Sequence, residues 1–112
     1  MKIVVCIKQV PDTTDIKWTE HNTIQREGVE SIINPFDEYA LETAIRLKDK
    51  YGAEVTAISM GPPQAEDIIK KAIAMGCDNG FLVSDRKFSG SDTIATSRTL
   101  ASAIKEKAPD AD

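Results

Sequence analysis

A chain of 112 residues and 12.2 kDa has room for one hydrophobic core, so residues 1–112 are expected to form a single domain. With 41% hydrophobic and 29% charged residues it is neither disordered nor fibrous, and a net charge of −4 (pI near 5.0) tells against a nucleic-acid surface, which needs clustered Lys and Arg to neutralise phosphates. Two cysteines without a Cys-x-x-Cys, and the lone histidine His21, argue against a disulfide and against a metal site.

Lys2 to Ile7 enters strand pattern at once, in a run too short for a signal-peptide core or a bilayer span. A cytoplasmic protein without membrane insertion is therefore expected. Ile3 to Ile7 is continuously apolar and β-branched, as in a strand buried on both faces of a parallel sheet. Cys6 within it, and Cys77 just after a later helix, read as small buried residues. Pro11 ends the strand. Residues 16–19 and 23–27 then alternate around Glu20-His21-Asn22, which reads as an inserted β-hairpin carrying Trp18.

The first helix is expected from Asn34 to Tyr51, with Gly52 just past its end. Its apolar stripe is Ala40, Leu41, Ala44, Ile45, Leu47 and Tyr51, with Glu42 and Arg46 paired on the wet side. The second strand is Glu54 to Ser59. Gly61-Pro62-Pro63 turns it into a second helix that buries Ala65, Ile68, Ile69, Ala72 and Ile73 and stops at Gly76. Phe81 to Val83 makes a third strand, and a loop leads to a third helix over about 91–107, with Ile94, Ala101 and Ile104 inward.

This order describes an α/β protein: a three-layer, mostly parallel sheet, Rossmann-like, truncated after its third α/β unit. Strand two is expected beside strand one, and strand three outside strand two. A fourth strand on the other side of strand one would complete a switch-point crevice, and the sequence stops where that strand would start.

Ligands of open α/β sheets bind outside the carboxyl ends of the strands, so the stretches there carry the functional information. Asn34-Pro35-Phe36-Asp37 is written as a helix start: an N-cap, proline at the first helical position and acidic residues complementing the dipole. That acidic turn disfavours a phosphate and suits the neutral adenosine side of a nucleotide. Gln9 to Asp12 contains no glycine and is neither a G-x-G-x-x-G nor a P-loop, but main-chain groups at Cys6 and Lys8 are available in principle to the edge of an adenine. Gly61 reads either as a turn residue or as a place where a flat ligand meets the backbone, with Met60 as an adaptable apolar wall. Ser89 and Asp92 read as a capping box opening the third helix, where Thr93 and Thr96 add hydroxyls suited to a pyrophosphate or ribityl chain. No nucleophile–base pair stands out, so no catalytic residue is assigned.

Taken together, Lys8-Gln9-Val10-Pro11-Asp12, Asn34-Pro35-Phe36-Asp37, Ser59-Met60-Gly61-Pro62, Ala74-Met75-Gly76, Ser84-Asp85-Arg86 and Gly90-Ser91-Asp92-Thr93 resemble the N-terminal part of the electron transfer flavoprotein β subunit, including the FixA-like branch. The resemblance implies an adenine-nucleotide-hydrolase-like α/β domain that binds AMP, or FAD in electron-bifurcating members. It also implies an electron-transfer subunit rather than an enzyme, forming a heterodimer with an FAD-carrying α subunit and serving acyl-CoA or other dehydrogenases. Carried over by position, nucleotide contacts fall on Cys6, Asn34, Pro35, Phe36, Asp37 and Met60, and in the FAD-binding branch on Asp92, Thr93 and Thr96. The Ser84-to-Thr93 segment is closer to that branch. Members are about twice this length, a size typical of a larger domain, and their main phosphate loop follows the fourth strand. Half a site is the expectation. The competing readings are a stand-alone universal-stress-type domain binding ATP or AMP, and a non-binding structural module with a strand edge open to pairing.

Overall fold

The computed structural model of the chain describes residues 1–11, 31–84, 90 and 92–112. The expected hairpin over 16–27, with Trp18 and His21, lies outside the described residues, as do Asp85, Arg86, Ser89 and Ser91. The described elements are β1 (Lys2–Cys6), β2 (Gln9–Pro11), β3 (Ser31–Ile33), α1 (Pro35–Tyr51), β4 (Glu54–Met60), α2 (Glu66–Met75), β5 (Asn79–Val83) and α3 (Thr93–Lys107), with one 3-10 turn at Pro63–Ala65 before α2.

β1, β4 and β5 form a parallel sheet in the order β1-β4-β5, as the topology rules require. Both crossovers step the same way, so right-handed connections put α1 and α2 on one face. There Val5, Val55 and Ala57 pack with Leu41 and Ala44 of α1 and with Ile68, Ile69 and Ala72 of α2. Each fully buried Leu, Ile or Val contributes roughly 1.5–3 kcal/mol. Alternation sends Ile58 and Phe81 to the opposite face. α3 lies over that face, with Lys107 Nζ 5.7 Å from the centre of the Phe81 ring and Ile58 only 1% exposed.

The helix ends follow their local chemistry. Asn34 Oδ1 accepts from the Phe36 N–H at 3.0 Å, Pro35 occupies the first position, and α1 closes at Gly52 with φ 70°. Glu42 and Arg46 pair at 2.9 Å. At the amino end of the sheet, Lys48 Nζ bonds the Gly76 carbonyl (2.9 Å) and Asp78 Oδ1 (2.7 Å), while Asp78 Oδ2 accepts from the Val55 N–H (2.9 Å). The lysine bond and then the Val55 amide hold the Asp78 carboxyl below its ordinary value.

Several expectations need correction. Pro11 does not simply end the first strand: Gln9–Pro11 forms a second, antiparallel ladder with Ser31–Ile33, burying Ile33. Ala40 and Tyr51 are exposed at the margin of the α1 stripe, because α1 turns only Leu41 and Ala44 fully onto the sheet. Ile73 is 46% exposed beyond the edge strand β5. Ile94 (64% exposed) and Ala101 face solvent, and no residue of α3 is buried, since among the described residues no strand extends the sheet beyond β1 to receive them.

The outer edge of β1 carries a related feature. Asp112 donates its N–H to the Lys2 carbonyl (2.8 Å), its side chain accepts the Lys2 N–H (2.9 Å), and Asp110 pairs with Lys2 Nζ. The chain leaving α3 thus reaches the side of β1 opposite β4, where a doubly wound sheet reverses its order.

Candidate nucleotide site at the carboxyl edge

Cys6, Met60 and Val83 end the three parallel strands, and α1 and α3 begin at that same edge. The register places Cys6 level with Ile58, and Met60 one pleat further, on the same sheet face. Asn34 and Asp37 come from the start of α1. Candidates from the two layers therefore converge on the end of β1.

Main-chain bonding decides which groups are free there. Ile7 donates to the Ile58 carbonyl (2.9 Å) and Met1 accepts from Glu54 (2.9 Å), so odd-numbered residues of β1 face β4 and even-numbered ones face outward. Lys2 agrees with this by bonding Asp112 on the outer side. The N–H and C=O of Val4 and Cys6 point to that outer edge without a partner among the described residues. Lys8 differs: its N–H donates to Asp37 Oδ2 (2.9 Å) and its carbonyl accepts from the Asn34 N–H (2.8 Å). The expectation that Lys8 offers its backbone to a base is thus corrected, while Cys6 keeps an adjacent donor and acceptor without a partner among the described residues.

Cys6 itself is exposed, not buried as its apolar surroundings suggest, whereas Cys77 is buried. Among the described residues no strand lies on the outer side of β1 around Cys6. Partial crowding by the chain, and then the Asp37 carboxylate, push the Cys6 thiol above its ordinary value.

The first turn of α1 is fully committed. Pro35 has no N–H, Phe36 donates to Asn34 Oδ1, and Asp37 and Glu38 both donate to the Asn34 carbonyl at 2.9 and 3.2 Å. No N–H remains for an anion. Phe36 is 81% exposed, and Tyr39, one turn on, is 71% exposed.

At α3 the capping differs from expectation. Asp92 is the N-cap itself, its Oδ1 accepting from the Ala95 N–H at 2.8 Å, and the helix starts at Thr93 rather than at 91. The N–H groups of Thr93 and Ile94 have no partner among the described residues, and Thr96 is half-buried. No hydrogen bond among the described residues links Asp92, Thr93 or Thr96 to the Cys6–Asn34–Asp37 group.

Gly61 donates its N–H to the Val83 carbonyl (3.0 Å), and a Cβ on it would stand 3.2 Å from the Ala65 Cβ. Its missing side chain thus leaves room for the 3-10 turn. Ser59, fully buried one residue before Met60, has a hydroxyl with no partner among the described residues. Nothing in the sequence distinguishes it from an ordinary strand serine. Among the described residues no three His, Cys, Asp or Glu side chains gather to hold a metal, and no helix is long and apolar enough to cross a membrane.

Comparison with known proteins adds to this geometry. The family described as electron transfer flavoprotein domain matches residues 21–111. The electron transfer flavoprotein subunit beta of Clostridium acetobutylicum is 57% identical over 107 residues, which are 95% of this chain and 41% of that protein. Protein FixA of Azorhizobium caulinodans is 53% identical over 107 residues, 95% of this chain and 38% of that protein. The subunit beta of Megasphaera elsdenii is 51% identical over 112 residues, 98% of this chain and 42% of that protein. The chain spans about two fifths of the length of these relatives.

Proposed function

The chain belongs to the electron transfer flavoprotein family, and from that premise we propose that it is the part of a β-type or FixA-type subunit that receives the adenosine half of AMP or FAD. It acts in electron transfer and not as an enzyme, in partnership with an α subunit that carries FAD and with a dehydrogenase as electron donor. The observation that supports this most directly is that the N–H and C=O of Cys6, at the outer, carboxyl end of β1, have no partner among the described residues. A neighbouring donor and acceptor at a strand end complement the N1 and exocyclic amine of adenine.

Asn34, Pro35 and Phe36 would border the sugar or base, with Met60 as an apolar wall on the α3 side of the sheet. The α1 start has no free N–H, so the phosphates are directed away from it. The start of α3, where the N–H groups of Thr93 and Ile94 have no partner among the described residues and Thr93 and Thr96 carry hydroxyls, suits them better. A bound flavin supplies reversible electron uptake; AMP supplies none and would serve the structure alone. A cytoplasmic location accords with this role.

Titration of the chain with FAD, AMP and ATP, followed by flavin fluorescence and thermal unfolding, tests the reading. Stabilisation by AMP or FAD is expected. Tight ATP binding without any response to AMP or FAD would favour the universal-stress-type alternative, and a chain indifferent to all three would refute nucleotide binding by these residues.

A further inference from the structure

In a capping box the acidic residue at the third helical position reaches back to the N–H of the N-cap. Asp37 holds that position in α1 but does something else. The Asn34 N–H is already given to the Lys8 carbonyl (2.8 Å), and the Asp37 carboxylate turns off its own helix to take the Lys8 N–H through Oδ2 (2.9 Å). The carboxylate is thereby held at the end of β1, two residues and about 6.6 Å of extended chain past Cys6. Its other oxygen, Oδ1, has no partner among the described residues. The neighbouring Glu38 side chain is exposed, with no bond among the described residues to fix it.

We propose that Asp37 is a specificity-determining residue of the candidate nucleotide site: its carboxylate accepts a ribose hydroxyl of a nucleotide whose base pairs with Cys6, and so selects nucleotides in which that hydroxyl is free. This rests on the nucleotide reading above. An ionised carboxylate can only accept, and a ribose hydroxyl can donate to it. A phosphate on the 2′ or 3′ oxygen would instead meet negative charge, and the first turn of α1 has no N–H left to offset it. Dinucleotide-binding sheets use the same chemistry, an acidic side chain for a free 2′-hydroxyl and an arginine for a 2′-phosphate. The upward push that Asp37 exerts on the Cys6 thiol shows that the carboxylate acts on the place where the base would lie. The ligand class is then a 5′-nucleotide with an unphosphorylated ribose, a condition that AMP and FAD both meet.

The test measures adenosine beside 2′-deoxyadenosine and 3′-deoxyadenosine, neutral probes that keep the base edge, on the parent chain, Asp37→Ala and Asp37→Asn. In the parent, one of the two deoxy compounds should bind about tenfold more weakly than adenosine, the effect of losing one hydrogen bond to a charged group. In Asp37→Ala, adenosine and that same deoxy compound should bind within about twofold of each other. Comparing ligands within one variant cancels any general effect of losing the bond to Lys8. Asp37→Asn keeps an acceptor for the Lys8 N–H but no charge, so it should show a smaller preference than the parent. Adenosine bisphosphate with its second phosphate on the oxygen so identified should bind the parent more weakly than AMP. Thermal melting establishes which variants are folded at the assay temperature.

A parent that binds both deoxy compounds as well as adenosine would overturn the inference while leaving the nucleotide reading intact. So would a folded variant of either kind that retains the parent's full preference, because another group would then be reading the hydroxyl. A parent chain that binds no adenosine overturns the nucleotide reading itself, and this inference with it.

Discussion

Asn34 has two candidate roles, helix cap and ligand contact, and a pair of substitutions separates them. Its Oδ1 accepts a single bond, from Phe36 at 3.0 Å, whereas its main-chain carbonyl serves Asp37 and Glu38 and its N–H serves Lys8. Asn34→Ala therefore removes one of the four bonds made at this residue. The orphaned Phe36 N–H belongs to an exposed residue and water can reach it, so the loss sits at the lower end of the N-cap range, about 0.5–1 kcal/mol. For a domain of this size that moves the urea midpoint by about 0.5 M. Asn34→Asp keeps the accepting oxygen and adds a charge that favours the helix start by about 0.3–1 kcal/mol, partly offset by its acidic neighbours Asp37 and Glu38. Its stability should stay close to that of the parent. The two variants diverge in binding: aspartate lacks the Nδ2 donor, so if that group meets the nucleotide, Asn34→Asp loses about tenfold in adenosine affinity with no loss of stability. Urea unfolding followed by far-UV circular dichroism, beside adenosine titration, reads both effects. An aspartate variant less stable than the alanine variant would refute the capping argument. Undiminished affinity in Asn34→Asp would remove the Asn34 side-chain amide from the site.

Other outcomes follow from the same geometry. A Cβ on Gly80 would fall 2.4 Å from Ile69 Cγ2, so Gly80→Ala should cost about 1–3 kcal/mol. Its combination with Ile69→Ala should be less harmful than the sum of the two, as a double-mutant cycle in urea would show. The lowered Asp78 carboxyl contributes stability that is present above the ordinary carboxylate value and lost as pH falls through its folded value. Thermal melts of the parent should therefore decline below about pH 4, and Asp78→Asn should flatten that part of the profile. The Cys6 thiol is exposed but pushed up by crowding and by Asp37, so mass spectrometry should find it alkylated more slowly than free cysteine at neutral pH, and faster in Asp37→Asn. Cys77 should remain unmodified in the folded chain.

The sheet order and the span of α1 are legible in the sequence because strong local signals decide them. Asn34-Pro35 and Gly52 punctuate one helix, and the handedness of crossovers does the rest. The β2–β3 ladder is not legible. Three residues on each side carry no periodicity of their own, and their pairing is set by where the intervening chain leaves and returns. Ile94 and Cys6 mislead for a common reason. Their apolar character implies cover, but cover depends on which neighbouring layer is present, and beyond β1 the described chain supplies only Asp110 and Asp112. The Lys8–Asp37 bond joins residues far apart in sequence through a side chain whose helix-start role already accounts for it, so no sequence signal demands it.

Charge is the ground that the sequence offers for rejection of phosphate by the start of α1, and the structure supplies a different one. Charge repulsion between Asp37, Glu38 and an anion is screened by salt, with a Debye length of about 8 Å at physiological ionic strength, and it weakens when a carboxylate is neutralised. Saturation of the N–H groups does neither. Pro35 has none to give, and Phe36, Asp37 and Glu38 all donate to Asn34. The two grounds predict opposite behaviour for Asp37→Asn. If charge alone excludes the anion, removing it should open a phosphate site detectable at low salt. If the N–H groups are spent, the variant should bind inorganic phosphate at α1 no better than the parent at any salt concentration. The backbone amide chemical shifts of Phe36, of the substituted residue and of Glu38, followed through a phosphate titration of the variant at low ionic strength, decide between them. Unmoved resonances are expected; a saturable shift confined to those amides would return the explanation to electrostatics.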